Sequence, residues 1–295
     1  MKKKVLLIVN PVSGGKDKTQ IVEDAKALIT LEKYDFEAVY TEYPGHASEI
    51  AAATDADIVV AVGGDGTQNE VARSLVGTDK VMGIIPCGSG DGLALHLGIS
   101  RNNVVSSALI TYGHVATIDY GTVNGKPFFC TTGVGLDAEV SENFAKSGKR
   151  GLSTYILESI KTLFRFKPDY YKIYIDGCCE WEGYATLITV GNANQWGNNA
   201  KITAEASVKD GDLDVCIVEK VGVCAFPGLL RDLVKARPYM NTHVTYRRGK
   251  QIRIERNVDG PVHIDGDPHS SFGTSLQIEV KPSALKIIVP NENRI

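Results

Sequence analysis

The sequence predicts a two-part protein: an α/β domain with a parallel sheet and helices on both faces, then a mainly antiparallel β-sandwich. Three observations carry this expectation. Apolar strand-like runs alternate with helical runs over residues 5–86, as in consecutive βαβ units. Glycine clusters fall at the ends of those strand runs, at 63–66 and 88–92 above all. From about residue 115 the punctuation changes to Asn-Gly and Asp-Gly pairs, at 124, 176, 210, 259 and 265, which are hairpin-turn signals.

Taken in order, residues 5–10 read as a strand and 19–33 as an amphipathic helix. Strand 36–40 and helix 47–53 follow. Residues 57–62 are apolar without alternation, as suits a parallel strand buried on both faces. A helix over 67–76 and a strand over 81–86 complete the alternation. Polar, Gly-rich loops at 10–16, 40–46, 63–67 and 87–92 would then share one sheet edge, where ligands of such sheets bind. In the second part, helical insertions are expected near 138–145, 153–164 and 224–234. The apolar run 285–289 can return to either domain. The division is residues 1–115, with about 285–295 returning to it, and 116–284.

A chain of 295 residues that is 43% hydrophobic has room for two cores. No run is long enough to span a bilayer, and the apolar run after Lys2–Lys4 is too short for a signal core. A net charge of −3 argues against nucleic acid as a partner. The six cysteines include no Cys-x-x-Cys pair, so free thiols in a reducing cytoplasm are expected.

Residues 58–70, Ile-Val-Val-Ala-Val-Gly-Gly-Asp-Gly-Thr-Gln-Asn-Glu, carry most of the chemistry. Gly63, Gly64 and Gly66 let a ligand approach the backbone. The helix that follows aims its N–H groups at the ligand, which suits a phosphate. Asp65 is a carboxylate beside that site, able to hold a metal ion or accept a proton. Thr67 and Glu70 also fit a capping box, which would account for Glu70 without any ligand. A Walker A loop fails, because Asn10 stands where its first glycine belongs and Asp17 follows Lys16. The dinucleotide fingerprint is absent after the first strand.

The segments Asn10-Pro-Val-Ser-Gly-Gly, Gly63-Gly-Asp-Gly-Thr-Gln-Asn-Glu-Val and Pro86-Cys-Gly-Ser-Gly-Asp resemble the diacylglycerol kinase catalytic-domain family. That family includes soluble bacterial lipid kinases and is related to the sphingosine kinases. Gly133-Val-Gly-Leu-Asp-Ala-Glu-Val, Asp210-Gly-Asp-Leu-Asp-Val and Ile264-Asp-Gly-Asp-Pro resemble three further family segments, so the likeness runs along nearly the whole chain. It implies the NAD kinase/diacylglycerol kinase-like fold, with the site between an α/β domain and a β-sandwich.

The resemblance also implies roles. ATP would meet Asn10, Pro11, Ser13, Gly14, Thr41, Gly63, Gly64, Asp65, Gly66, Thr67, Asn69, Glu70, Gly88 and Ser89. Mg²⁺ would bridge phosphate oxygens and lean on Asp65. The base for the acceptor hydroxyl would be Asp267 or Asp265, or Asp65 by analogy with sphingosine kinases. Asp91, Asp137 and Glu139 would serve the acceptor, Glu139 facing the amine if the lipid is a sphingoid base. Ser207, Asp210 and Asp212 would hold a structural Mg²⁺. Two departures stand out. The usual Gly-Thr-x-Asn-Asp loop is Gly88-Ser-Gly-Asp-Gly, which leaves Gly92 where a carboxylate is usual. Asp267 replaces a glutamate and is one methylene shorter.

The expected activity is ATP- and Mg²⁺-dependent phosphorylation of a lipid hydroxyl, with diacylglycerol and sphingoid bases as the main acceptors. NAD kinase and a nucleotide-binding regulator with weak catalysis are the alternatives. The expected partner is a lipid at a membrane surface, reached transiently from the cytoplasm, and a homodimer is kept open. Membrane attraction could come from Arg247, Arg248, Lys250, Arg253 and Arg256, or from Lys146, Lys149 and Arg150. The apolar segment 152–166 suits a helix lining a lipid cleft.

Overall fold

The structure is a computed structural model that describes residues 2–15, 17–29, 33–146, 159, 161–222 and 225–291. It has two compact units, Met1–Ile118 with Ser283–Ile295, and Asp119–Pro282.

In the first unit the order is β1 (Lys3–Val9), α1 (Thr19–Leu28), β2 (Tyr34–Tyr40), α2 (His46–Ala53), β3 (Ile58–Gly63), α3 (Asp65–Leu75), β4 (Val81–Pro86), α4 (Gly92–His96) and α5 (Asn103–Tyr112). The strands lie β4-β3-β1-β2 and are all parallel. β1 and β3 are apolar on both faces because helices cover both. Val5, Leu7 and Val9 pack with Ile21, Val22 and Ala25 of α1 and Ile110 of α5. Leu6, Ile8, Val59 and Ala61 are equally buried and alternate with that set along the strands. All four strands therefore end on one edge, and their carboxyl-end loops gather there.

α5 was not expected from the sequence. Asn102 starts it by accepting from the N–H groups of Val104 and Val105 at 3.0 and 3.3 Å.

The second unit contains β5 (His114–Val123), which enters it from the first, β6 (Lys126–Phe128), β7 (Thr131–Gly135), α6 (Leu136–Lys146), β8 (Asp169–Ile175) and β9 (Cys178–Gly191). It continues with β10 (Leu213–Glu219), α7 (Phe226–Val234), β11 (Val244–Gly249), β12 (Gln251–Arg256), β13 (Val262–Ile264), β14 (Asp267–His269) and β15 (Ser275–Val289). Here the strands run antiparallel in the order β14-β13-β7-β9-β8-β12-β15, with β10 also on β9 and β11 on β10. Alternation sorts the side chains. Val215 and Ile217 join a core with Ile188, Ile252 and Leu276, while Cys216 and Val218 meet α6 and α7 through Val140, Leu229 and Leu233.

β15 serves both units in turn. Residues 275–279 pair antiparallel with β12, and Lys286 and Ile287 pair parallel with Val81 and Met82 of β4.

Three of the five Asn-Gly and Asp-Gly pairs turn hairpins. Asn124-Gly125, Asp176-Gly177 and Asp265-Gly266 have both residues at positive φ, as a two-residue hairpin requires. Asp210-Gly211 instead lies in the loop before β10, where Gly211 N donates to Asp119 at 2.8 Å. Asp259 is spent on the Arg256 guanidinium at 3.0 Å. The helix expected over 153–164 lies largely outside the described residues, as does Cys224.

Candidate active site

In the first unit, the loops after β1, β3 and β4 form one tightly joined surface. Gly14 sits at φ 61°, and a Cβ there would come within 1.8 Å of the Cys87 carbonyl oxygen. A Cβ on Gly88 would lie 2.6 Å from the Cα of Gly64. These positions demand glycine because backbone meets backbone. Asn10 anchors the first loop, its amide donating to Thr67 Oγ1 at 3.0 Å while its Oδ1 accepts from Val12 N at 3.1 Å. Ser13 and Thr67 are buried; Pro11, Gly66 and Ser89 are exposed, and Gly63 is buried at the strand end. Thr41 follows β2 and donates its N–H to Val9 at 2.9 Å, bringing the second loop to the same edge. Asn69 is half-buried on the first turns of α3.

Asp65 is the link between two of these loops. Its Oδ2 accepts from Asp91 N at 2.8 Å and its Oδ1 from Gly92 N at 2.7 Å. It thereby caps α4 from another element, and Asp91, the residue just ahead of α4, makes no side-chain cap. Asp65 is half-buried, and its carboxylate is the oxygen-ligand type that Mg²⁺ takes.

α3 begins at Asp65, two residues ahead of the expected start, so the capping box does not form. Glu70 reaches α2 instead, accepting from Gly45 N at 2.8 Å and Ala47 N at 3.1 Å. Gly45, the left-handed residue just ahead of α2, supplies no side-chain cap of its own. Glu70 thus fixes the loop that carries Thr41.

Asp91 is wholly buried, so it presents no surface to an acceptor, contrary to the expected substrate role. Its φ of 50° explains the residue type, since asparagine and aspartate tolerate the left-handed region. Its Oδ1 accepts from Gly88 N at 3.0 Å and Gln68 Nε2 at 3.2 Å. Burial pushes the Asp91 carboxyl up, while the Gly88 amide, Arg101 and Gln68 pull the other way. Arg101 and Gln68 were not foreseen. Arg101 lies ten residues beyond the loop in sequence, and no spacing rule marks it.

In the second unit, the β13–β14 hairpin carries both remaining candidates for the base. The Asp265 carboxylate accepts from the backbone N–H groups of Phe129, Cys130 and Thr131 at 2.9, 2.8 and 3.0 Å. Asp267, the first residue of β14, is exposed. Asp137 is buried at the start of α6, where Oδ2 accepts from Thr189 Oγ1 at 2.8 Å and faces His263 Nε2 at 3.1 Å. It is an internal brace that fastens α6 and β9 to β13. Glu139, two residues on, is half-buried, and burial followed by the Glu142 charge holds its carboxyl up.

The acidic turn expected to bind a structural Mg²⁺ is occupied by an arginine. The Arg248 guanidinium pairs with Asp210 and lies 3.9 Å from Asp212 and 3.8 Å from Asp214. Ser207 Oγ accepts from Lys209 N at 3.3 Å. Ser207, Asp210 and Asp212 therefore do not fit a metal in this arrangement, and among the described residues no group of three His, Cys, Asp or Glu side chains is placed to hold one.

The basic run on β11 and β12 is likewise committed. Arg247 pairs with Glu180, Arg253 with Glu255, and the buried Arg256 with the exposed Asp259. Arg253 also stacks over Tyr174 at 3.9 Å. Each arginine of this cluster is paired with an acid, and Lys250 is exposed. Lys146 pairs with Glu142 at 3.1 Å, and Lys149 and Arg150 lie outside the described residues.

With this geometry in place, comparison with known proteins is direct. The profile of the diacylglycerol kinase catalytic domain matches residues 4–123, and that of the YegS C-terminal NAD kinase beta sandwich-like domain matches residues 130–289. A diacylglycerol kinase of Bacillus subtilis (strain 168) is 26% identical over 273 residues, covering 90% of each chain. A crystal structure from Bacillus anthracis str. Sterne, of a protein assigned as a diacylglycerol kinase, superposes with a TM-score of 0.82 at 29% identity, covering 99% of this chain and 97% of that one. An NAD kinase from Archaeoglobus fulgidus shares the fold at a TM-score of 0.54 and 14% identity, covering 99% and 95%. Both halves of the sequence match in order and nearly end to end, so the chain belongs to the diacylglycerol kinase catalytic-domain family and carries its YegS-type C-terminal domain.

Proposed function

We propose that this protein is an ATP- and Mg²⁺-dependent lipid kinase that moves the γ-phosphoryl group of ATP to the hydroxyl of diacylglycerol. A kinase family implies ATP. The observation that carries the reading is the joined loop edge of β1–β4. There Asn10, Gly14, Gly64 and Gly88 bring backbone within reach of a polyphosphate, at the N-terminus of α3. Asp65 would hold Mg²⁺ there; the ion, when bound, neutralises charge on the phosphates.

Asp267 is the proposed base. The acceptor O–H bond breaks with its proton passing to the Asp267 carboxylate, the new O–P bond forms, and the bond from Pγ to the ADP oxygen breaks. Asp265 is the weaker candidate because its oxygens already serve three backbone amides. It holds the hairpin that presents Asp267.

A sphingoid base is the second reading for the acceptor. The half-buried Glu139, whose carboxyl is held up by burial and then by the Glu142 charge, would gain from a cationic amine.

The test offers labelled ATP and Mg²⁺ with diacylglycerol, sphingosine or NAD separately. Wild type should label diacylglycerol. Asp267→Asn should lose 10²–10⁴-fold in turnover, about what a missing general base costs, with ATP affinity kept. Asp265→Asn should instead lower the melting temperature. Label in sphingosine alone would favour the Glu139 reading, label in NAD would overturn lipid specificity, and nucleotide binding without transfer would leave a regulator.

A further inference from the structure

We infer that Arg256, together with Asp259, is a positioning pair for phosphoryl transfer, clamping the root of the hairpin that presents Asp267. The inference rests on the reading of Asp267 as base, but its observations lie at the opposite end of the hairpin.

The hairpin is short and sits at an edge. β13 and β14 have three residues each, and among the described strands β14 pairs with β13 alone. Two strands of that length hold their own geometry weakly. At the tip, the Asp265 carboxylate is bound by the amides of Phe129, Cys130 and Thr131. In the middle, Thr132 Oγ1 donates to the His263 carbonyl at 2.7 Å, and His263 Nε2 faces Asp137. These bonds act on residues 263 and 265, ahead of Asp267 in the chain.

Arg256, the last residue of β12, ties the two ends of the hairpin together. Its backbone N–H donates to the Thr274 carbonyl at 2.9 Å, and its Nε to the Gly273 carbonyl at 3.0 Å. Nη1 donates to the Pro261 carbonyl at 3.2 Å. Nη2 donates to the Gly260 carbonyl at 2.6 Å and to Asp259 Oδ1 at 3.0 Å. One side chain thus bonds the backbone entering the hairpin, at 260 and 261, and the backbone leaving it, at 273. Asp259 spans the same gap, since its Oδ1 also accepts from Gly260 N at 2.8 Å and Gly273 N at 3.0 Å.

The Arg256 side chain is 3% exposed. A cation so buried is costly unless its donors are satisfied, and carbonyls from both ends of the hairpin satisfy them here. The planar guanidinium presents donors on three nitrogens, whereas a lysine would reach these acceptors from a single nitrogen. A misplacement of about 1 Å at reacting groups costs on the order of 100-fold in rate. A loosened root would therefore reach the chemistry through Asp267.

The test compares Arg256→Lys and Asp259→Ala with wild type by hydrogen exchange over residues 262–269 and by turnover of diacylglycerol in detergent micelles. Arg256→Lys keeps the charge without the fork. Asp259 is exposed, so its loss spares the core. Exchange over 262–269 should quicken in both variants. Turnover should fall about 10-fold or more in Arg256→Lys and about 3-fold in Asp259→Ala. The KM for ATP should stay unchanged, because every proposed ATP contact lies in the first unit. Each substitution is also made on Asp267→Asn, where it should cost no further turnover, as no base is left to position. A merely structural role would multiply the two losses.

Unchanged exchange, wild-type turnover in the folded variants, or a full further loss on the Asp267→Asn background would overturn the inference. Full turnover by Asp267→Asn rejects the base reading, and the positioning role falls with it. Absent turnover by wild type rejects the kinase reading, and hydrogen exchange then decides the clamp by itself.

Discussion

Arg101 Nε stands 3.3 Å from Oδ2 of the fully buried Asp91, and the same guanidinium binds the carbonyls of Ser89 and Gly90 at 3.0 and 2.6 Å. One exposed-rim cation therefore both neutralises a buried charge and shapes the loop that follows β4. Asp91 occupies the position where the family usually has asparagine, so the arginine offsets a charge that an amide would not bring.

That relationship predicts a rescue. Arg101→Met should destabilise the protein by about 1–3 kcal/mol, since a buried carboxylate loses its counter-ion while the pair's partial exposure limits the loss. Asp91→Asn in the same background should restore most of it, because a neutral amide keeps the left-handed backbone and needs no cation. Urea unfolding of the two single variants and the double variant reads this coupling. Additive effects would mean the two residues act separately.

Glu70 should matter through a helix it does not belong to. Glu70→Ala leaves Gly45 N and Ala47 N without their acceptor, at a cost of about 1–2 kcal/mol. The Thr41 loop should loosen with it, raising the KM for ATP more than it lowers kcat. A variant with unchanged stability and KM would remove Glu70 from the site's support.

Asp214 gives a signed pH dependence. Burial pushes its carboxyl up to about 6, against the Tyr246 hydroxyl and Arg248, which hold it down. The native state thus binds a proton more readily than the unfolded chain. Stability from this group is present at low pH and is lost as pH rises from about 4 through 6, by up to about 3 kcal/mol. Asp214→Asn should flatten that part of the stability–pH curve and make the protein more stable than wild type at pH 8. An unchanged slope in unfolding free energy between pH 4 and 7 would contradict the assignment.

The Arg248 clamp predicts indifference to chelation. EDTA should leave the wild-type melting temperature unchanged, because an arginine already supplies the cation to Asp210, Asp212 and Asp214. Arg248→Gln should lower it and let millimolar Mg²⁺ recover part of the loss, as oxygen ligands freed of the guanidinium take a hard cation. A fall in the wild-type value on chelation would restore the metal to this turn.

The sequence was informative where local pattern and tertiary role coincide. Unbroken apolar runs such as 58–62 can be little else than strands covered on both faces, and glycine at their ends marks loops that touch. Legibility failed where a side chain acts at a distance. Glu70 looked like half of a capping box, but its carboxylate goes to α2, and Arg101 had no motif to announce it. α5 was missed because Val104, Val105, Ile110 and Thr111 are β-branched and weaken a helical reading. Asp210-Gly211 and Asp259-Gly260 misled because a turn dipeptide also serves loops whose carboxylate is needed elsewhere.

The crossing of β15 from one unit to the other has a consequence for how the chain is made. Residues 286 and 287 extend the first unit's sheet at β4, yet they are synthesised only after the whole of the second unit. A nascent first unit waits with the β4 edge uncovered, an invitation to foreign strands until residue 289 has emerged. No single cut separates the two units, since β5 and β15 both cross between them. A stand-alone nucleotide-binding fragment would therefore have to be stitched, with residues 283–291 joined behind residue 118 by a short linker.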